Sequence, residues 1–227
     1  LGVREYYFTG GEPFLNPQME AILAATLAVG PASVLTNGLL FDAARCRRLQ
    51  ALAEAAEYSL DLRVSLDGYD AATNDPIRGE GTFERVLEGV RHLAAAGLNP
   101  VLTVTEACAG AAADEGKARF FALLREAGLA RPRLKVLPVF KLGAEAERSG
   151  AYEAWQRLRE GDAPGGWDHL QCSASRMVTD QGVWVCPILV NEPAAKMGET
   201  LADSLGSFPL EHSACWTCHV YGVSCRT

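Results

Sequence analysis

The chain has 227 residues, 48% hydrophobic and 22% charged, with a formal net charge of −7 and a sequence pI near 5.2. This is the balance of a globular protein long enough for a full core in one or two domains, and its acidity gives no support to a nucleic-acid backbone as partner. No run approaches the roughly 18–20 uninterrupted apolar residues of a membrane span and no secretory leader is visible, so a cytoplasmic protein with neither nucleic-acid nor membrane partner is predicted.

A β-branched and aromatic run at 3–9 opens the chain and is cut off by Gly10-Gly11-Glu12-Pro13. Further strands are predicted over 33–37, 61–67, 99–105 and 133–140, alternating with helices over 17–29, 41–56, 82–96, 115–127 and 145–160. Thr82 is a candidate N-cap for the third of these helices, and Gly97 and Gly128 stand where C′ glycines would end the third and fourth. Strand–helix alternation at this spacing predicts an α/β protein built from βα units around a parallel sheet. In such folds chemistry gathers on loops leaving the strands' C-terminal ends. Those ends are distinctive here: Gly-Gly-Glu-Pro after the first, Thr36-Asn37-Gly38 after the second, and Ser65-Leu66-Asp67-Gly68 after the third. Gly161–Trp167 reads as a linker and places a domain boundary at about residue 165. A β-hairpin over 176–186, a short helix near 198–206 and a cysteine-rich tail are expected beyond it.

Each motif admits a functional and a purely structural role. Glycines at a strand end let a ligand approach the main chain closely, and strand-end carbonyls with Glu12 offer acceptors to an ammonium group; a tight turn with a solvated Glu12 is equally compatible. Alternation puts Ser65 and Asp67 on one side of their strand, where two polar groups suit the hydroxyls of a ribose, although an Asp67-Gly68 cap competes. Asn37 fits either an Asx turn or a ligand contact. Arg78 could pair bidentately with a carboxylate or form a surface salt bridge.

Of the seven cysteines, Cys46 and Cys108 are isolated and read as structural, whereas Cys172, Cys186, Cys215, Cys218 and Cys225 crowd the C-terminal quarter. Cys215-Trp-Thr-Cys218 is a CxxC, and a hairpin bracketed by Cys172 and Cys186 could deliver two further thiolates. Five cysteines exceed the four that a structural zinc or one iron–sulfur cluster requires. Zinc and iron–sulfur remain open on the residues alone, and a redox dithiol lacks its usual βαβ context. His169, His212 and His219 lie close enough in sequence to replace a thiolate.

Taken together, Tyr6–Pro13, Ser65–Gly68, Ile77-Arg78-Gly79 through Gly81–Arg85, and Leu137–Phe140 resemble the radical S-adenosylmethionine superfamily. The tail, with Cys172, nine residues, Gly182, three residues, Cys186, then the CxxC and Cys225, resembles a SPASM/twitch-type auxiliary-cluster domain, although the spacing after Gly182 is one residue short. The resemblance implies a partial (β/α)6 TIM-like barrel lacking its first βα unit over 1–165, followed by a small Cys-rich hairpin/helix domain over 166–227. It implies S-adenosylmethionine as cofactor, with Gly10, Gly11 and Glu12 at the methionyl amino group and Ser65 and Asp67 at the ribose. Asn37 would join this site, with Arg78 at the carboxylate and Leu137 beside the adenine. It further implies a [4Fe–4S] cluster that cleaves S-adenosylmethionine to a 5′-deoxyadenosyl radical, but the CxxxCxxC that would hold it is absent from these residues. As it stands the chain is therefore expected to be inactive, a fragment of an enzyme. One auxiliary [4Fe–4S] cluster is implied on Cys172, Cys186, Cys215, Cys218 and Cys225. The expected partners are a peptide or protein substrate and an electron donor such as flavodoxin or ferredoxin. The alternatives are a small-molecule substrate, or a non-catalytic scaffold holding structural zinc.

Overall fold

The structure, a computed structural model, describes residues 2–159, 161–190 and 192–222, so Cys225 lies outside the described residues. Two units divide the chain, Gly2–Leu137 and Pro138–Thr227.

The first unit is a parallel sheet of five strands in sequential order: β1 (Tyr6–Phe8), β2 (Ala32–Thr36), β3 (Leu60–Ser65), β4 (Val101–Thr105) and β5 (Arg133–Leu137). Between them run α1 (Met19–Leu27), α2 (Ala43–Ala55), α3 (Ala71–Arg78), α4 (Thr82–Ala95) and α5 (Asp114–Glu126). Alternation along the strands sorts the side chains onto two faces. Ala32, Val34, Leu62, Val64, Leu66, Leu102 and Val104 share one core with Leu23, Leu27, Leu49, Val86, Val90, Phe120 and Leu124 of the helices. The intervening strand residues include Arg63, Ser65, Thr103 and Lys135 beside Leu35, Val101 and Leu137, so the face away from the helices mixes polar and apolar side chains.

All five strands and the helices at 17–29, 41–56, 82–96 and 115–127 form near their expected places. Gly97 and Gly128 follow their helices at positive φ, +83° and +98°. The N-cap of α4 is Gly81 rather than Thr82, whose hydroxyl instead donates to Gly79 O at 2.7 Å. Pairing of β5 ends at Leu137, since Pro138 has no N–H to continue a ladder.

Helix α3 was not expected. Its eight residues include Pro76, which weakens any helical signal, yet Asp70 and Thr73 close a capping box at its start. Tertiary contacts complete it: Asn74 is fully buried, and its Oδ1 accepts from Asp67 N at 3.0 Å.

In the second unit the expected hairpin is present as β6 (Met177–Thr179) and β7 (Gly182–Trp184), with β8 (Lys196–Gly198) as third antiparallel strand. The helix expected near 198–206 is replaced by β8 and a 3-10 turn at Asp203–Leu205. The helix expected over 145–160 contracts to α6 (Ala144–Ser149), because Gly150 ends it at φ +88°. Phe140, Leu142 and Tyr152 pack around Trp184, Val185, Leu189, Ala195 and Ala214, which is why this unit begins at Pro138, ahead of the 161–167 linker. Helix α7 (Ser213–Tyr221) carries the CxxC and is capped by His212, whose Nδ1 accepts from Ala214 N at 3.0 Å. No helix among the described residues is long and apolar enough to cross a membrane.

Phe120 is fully buried between sheet and helices. Phe120→Ala is expected to cost about 3 to 5 kcal/mol through lost burial and the cavity left behind, read as a lower urea midpoint at unchanged slope.

Candidate functional site

At the end of β1, Gly10 adopts φ +130°, and a Cβ on Gly10 or Gly11 would meet nothing within 4 Å. The backbone of both glycines is exposed and open to approach. Glu12, next in line, is directed into the protein. Its Oε1 accepts from Thr36 Oγ1 at 2.8 Å and Phe14 N at 3.1 Å, and its Oε2 from Asn37 N at 2.7 Å. The carboxylate thus ties the end of β1 to the end of β2, leaving the two glycines as the approachable part of the motif. Asn37 forms the Asx turn considered from sequence, its Oδ1 accepting from Leu39 N at 3.0 Å. Gly38 follows at φ +77°, where a Cβ would come within 2.7 Å of Val64.

The end of β3 holds a buried carboxylate with four hydrogen-bonding partners. Asp67 is 2% exposed. Its Oδ2 accepts from Nε and Nη2 of Arg78, each at 2.7 Å, and its Oδ1 accepts from Thr105 N at 2.7 Å and Thr105 Oγ1 at 2.8 Å. A carboxylate removed from water needs such partners, because an unpaired buried charge costs several kcal/mol. With both oxygens occupied inside the protein, Asp67 acts on Arg78 and Thr105. Arg78 sits at the C-terminus of α3 with 30% of its side chain exposed, and Nη1 takes no part in the ion pair. Ser65 is half-buried one row deeper on the same face, while Leu66 points into the core. Leu137 closes β5 opposite Thr105.

Gly10, Gly11, Asn37, Ser65, Asp67, Arg78 and Leu137 therefore all belong to the strand-end region of one sheet, Arg78 through α3. Three participants were missed from sequence: Thr36, Asn74 and Thr105. Their roles depend on partners 24, 7 and 38 residues away, which nothing local in the chain announces.

In the second unit, Cys172 and Cys186 pack against the core that contains Ala214, next to Cys215. Burial pushes the Cys215 thiol up to about 12, with the neighbouring Cys172 and Cys186 thiols adding to the shift. Burial likewise raises Cys172. The Cys172 turn is stapled by Arg176, which donates to Cys172 O at 2.6 Å, Ser204 O at 2.7 Å and Gly206 O at 3.1 Å. Among the described residues, however, no group of three or more His, Cys, Asp or Glu side chains is arranged to hold a metal ion. His169 and His219 face each other, Nε2 to Nδ1 at 3.0 Å, and His212 is spent as a helix cap.

A sequential parallel sheet with exposed glycines and a buried carboxylate–guanidinium pair at its strand ends defines an α/β fold with its polar groups gathered at one end. Residues 1–109 match the model of the Radical SAM superfamily. That family implies S-adenosylmethionine and a [4Fe–4S] cluster as cofactors. Among curated proteins, the chain is similar to a GTP 3′,8-cyclase of Chlorobaculum tepidum, 34% identical over 70% of this chain and 47% of the relative. It is also similar to a probable GTP 3′,8-cyclase of Methanosarcina mazei, 38% identical over 44% of this chain and 29% of the relative. The chain thus spans less than half the length of these relatives. Among solved structures, SuiB of Streptococcus suis aligns with a TM-score of 0.61 at 13% identity, over 91% of this chain and 56% of that one. The anSMEcpe structure with bound AdoMet and Cp18Cys peptide aligns with a TM-score of 0.58 at 13% identity, over 91% and 68%. At that identity the structural likeness speaks to the fold, which agrees with the partial barrel expected from sequence.

Asp67→Asn keeps the shape of the side chain but turns an amide donor or an uncharged oxygen toward Arg78. It is expected to cost about 3 kcal/mol in unfolding free energy, with Thr105→Val a smaller loss. A second expectation concerns pH. The folded Cys215 thiol ionises near 12, above its ordinary value of 9.0, so the unfolded chain loses its proton first. Wild-type stability should therefore fall relative to Cys215→Ala as pH rises from 9 toward 12, with no difference in slope below 9.

Proposed function

We propose that this chain is the S-adenosylmethionine-binding part of a radical enzyme whose intact form abstracts a hydrogen atom from its substrate. The match to the Radical SAM model and the relatives named as cyclases support an enzyme. The observation that carries the reading is the pairing of an open Gly10-Gly11 backbone with Arg78 held in place by a buried Asp67. An amino acid needs that combination: main-chain acceptors for its ammonium group and a guanidinium for its carboxylate. The residues present thus fit S-adenosylmethionine. Gly10 and Gly11 receive the amino group, Arg78 the carboxylate and Ser65 a ribose hydroxyl, with Asn37 and Leu137 bordering the nucleoside. Glu12 and Asp67 act behind these contacts, the first by joining two strand ends and the second by orienting Arg78. When reductively cleaved, S-adenosylmethionine supplies a 5′-deoxyadenosyl radical; the CxxxCxxC for the reducing cluster is not among the 227 residues. What these residues do is bind and orient.

Two observations bear on the substrate. The relatives sharing 34–41% sequence identity are named for a cyclase reaction of GTP, whereas the link to a neighbour solved with a bound peptide is one of fold, at 13% identity. We therefore favour a small-molecule substrate and keep a peptide as the second reading. The C-terminal cysteines are proposed as an auxiliary iron–sulfur site on the strength of Cys172, Cys186 and Cys215 gathering at one core, with Cys218 one helical turn on. The raised thiols of Cys172 and Cys215 must lose protons to bind metal, and no step of the reaction is assigned to these cysteines.

Titration calorimetry with S-adenosylhomocysteine tests the first part: binding is expected, and Arg78→Ala should weaken it by roughly tenfold or more. Absence of binding by the wild type would refute the reading. For the tail, anaerobic purification should yield brown protein with about four irons and four sulfides per chain; a colourless protein holding zinc instead would remove the auxiliary cluster.

A further inference from the structure

The second unit brings two histidines face to face across 50 positions of chain. His169 follows the 161–167 linker, and His219 stands in the last turn of α7. Nε2 of His169 and Nδ1 of His219 are 3.0 Å apart, with the ring centroids 5.2 Å apart and the ring planes at 57°. Trp167 packs against both rings, its centroid 6.2 Å from that of His169 and 5.4 Å from that of His219. The facing nitrogens lie at the surface, whereas Cys215 on the same helix is buried.

A neutral imidazole carries one N–H and one lone pair, so one of these rings donates to the other. Such a bond between water-accessible groups adds little net stability. When the donating ring carries its proton on its far nitrogen instead, both facing nitrogens present lone pairs, and no proton leaves the protein. Metal–imidazole bonds are about 2.0–2.1 Å long, so an ion bridging nitrogens 3.0 Å apart is held at an N–metal–N angle of about 90°. Tetrahedral zinc needs the two nitrogens about 3.3–3.4 Å apart, whereas copper(II) and nickel(II) favour the right angles of tetragonal coordination. Position adds attraction: the carbonyl end of α7 is the negative end of its dipole, and His219 stands in that turn.

We infer that His169 and His219 form a bidentate site for a divalent transition metal of the nickel(II) or copper(II) class. Two imidazoles hold the ion and water fills its other positions, in keeping with the absence, among the described residues, of any metal-holding group of three or more His, Cys, Asp or Glu side chains. Bound there, the metal clasps the chain that leaves the linker to the last turn of α7. The site stands apart from the S-adenosylmethionine reading and from the auxiliary cluster, since its ligands are nitrogens at the surface and not thiolates at the core.

Nickel(II) titrated into the full chain, followed by calorimetry and absorption, tests the site. One nickel per chain should bind, without the intense near-ultraviolet absorption of thiolate-to-nickel charge transfer. His169→Gln and His219→Gln should each weaken binding tenfold or more, because a bidentate site loses its chelation with either ligand. His212→Asn, which keeps a helix-capping side chain, should bind nickel within twofold of wild type. Nickel should also raise the melting temperature of the wild type and leave both glutamine variants unmoved. The site is refuted if no nickel binds, if binding brings thiolate charge transfer, or if either glutamine variant binds or is stabilised as the wild type is.

Discussion

The strand-end region depends on one buried contact, the Asp67–Arg78 pair with Thr105 beneath it. A carboxylate at 2% exposure is tolerable only because two guanidinium N–H groups and both donors of Thr105 saturate it. That requirement fixes three elements at once. It sets the end of β3 against the end of β4, it holds the last turn of α3 over the sheet, and it orients the guanidinium from which Nη1 projects. Asn74 adds a second fastening by accepting from Asp67 N. Gly68 lies so close to the backbone of Thr73 and Asn74 that any side chain there would displace α3.

A parallel logic operates at the other strand ends. Glu12 accepts three hydrogen bonds from the β1–β2 region, so the charge in the Gly-Gly-Glu-Pro motif serves as mortar. The glycines do the opposite: with open space where a Cβ would stand, they present bare main chain. A site for an amino acid's charged groups needs both behaviours, rigid anchors behind and accessible backbone in front. In the second unit Cys172 and Cys186 are gathered by apolar packing, and burial raises the Cys172 and Cys215 thiols.

The legible parts of the sequence were those with local causes. Strands and long helices followed from periodicity, and the ends of α4 and α5 from Gly97 and Gly128, which adopt the positive φ that only glycine takes without strain. The elements misjudged were short. Helix α3 carries a proline, α6 stops at Gly150, and the residues near 198–206 form a strand and a 3-10 turn. Such segments take their conformation from tertiary contacts, where eight residues or fewer cannot pay for a helix on propensity alone.

The sequence by itself determined the α/β architecture, the placing of polar motifs at strand ends and the identity of the residues that gather there, because alternation and glycine conformation are properties of adjacent residues. Only the tertiary structure decided what those residues do. Whether Asp67 meets a ligand or a guanidinium depends on Arg78, 11 positions on, and on Thr105, 38 positions on. Whether His169 and His219 face each other depends on a contact across 50 positions. Those are long-range pairings, and one dimension of sequence does not contain them.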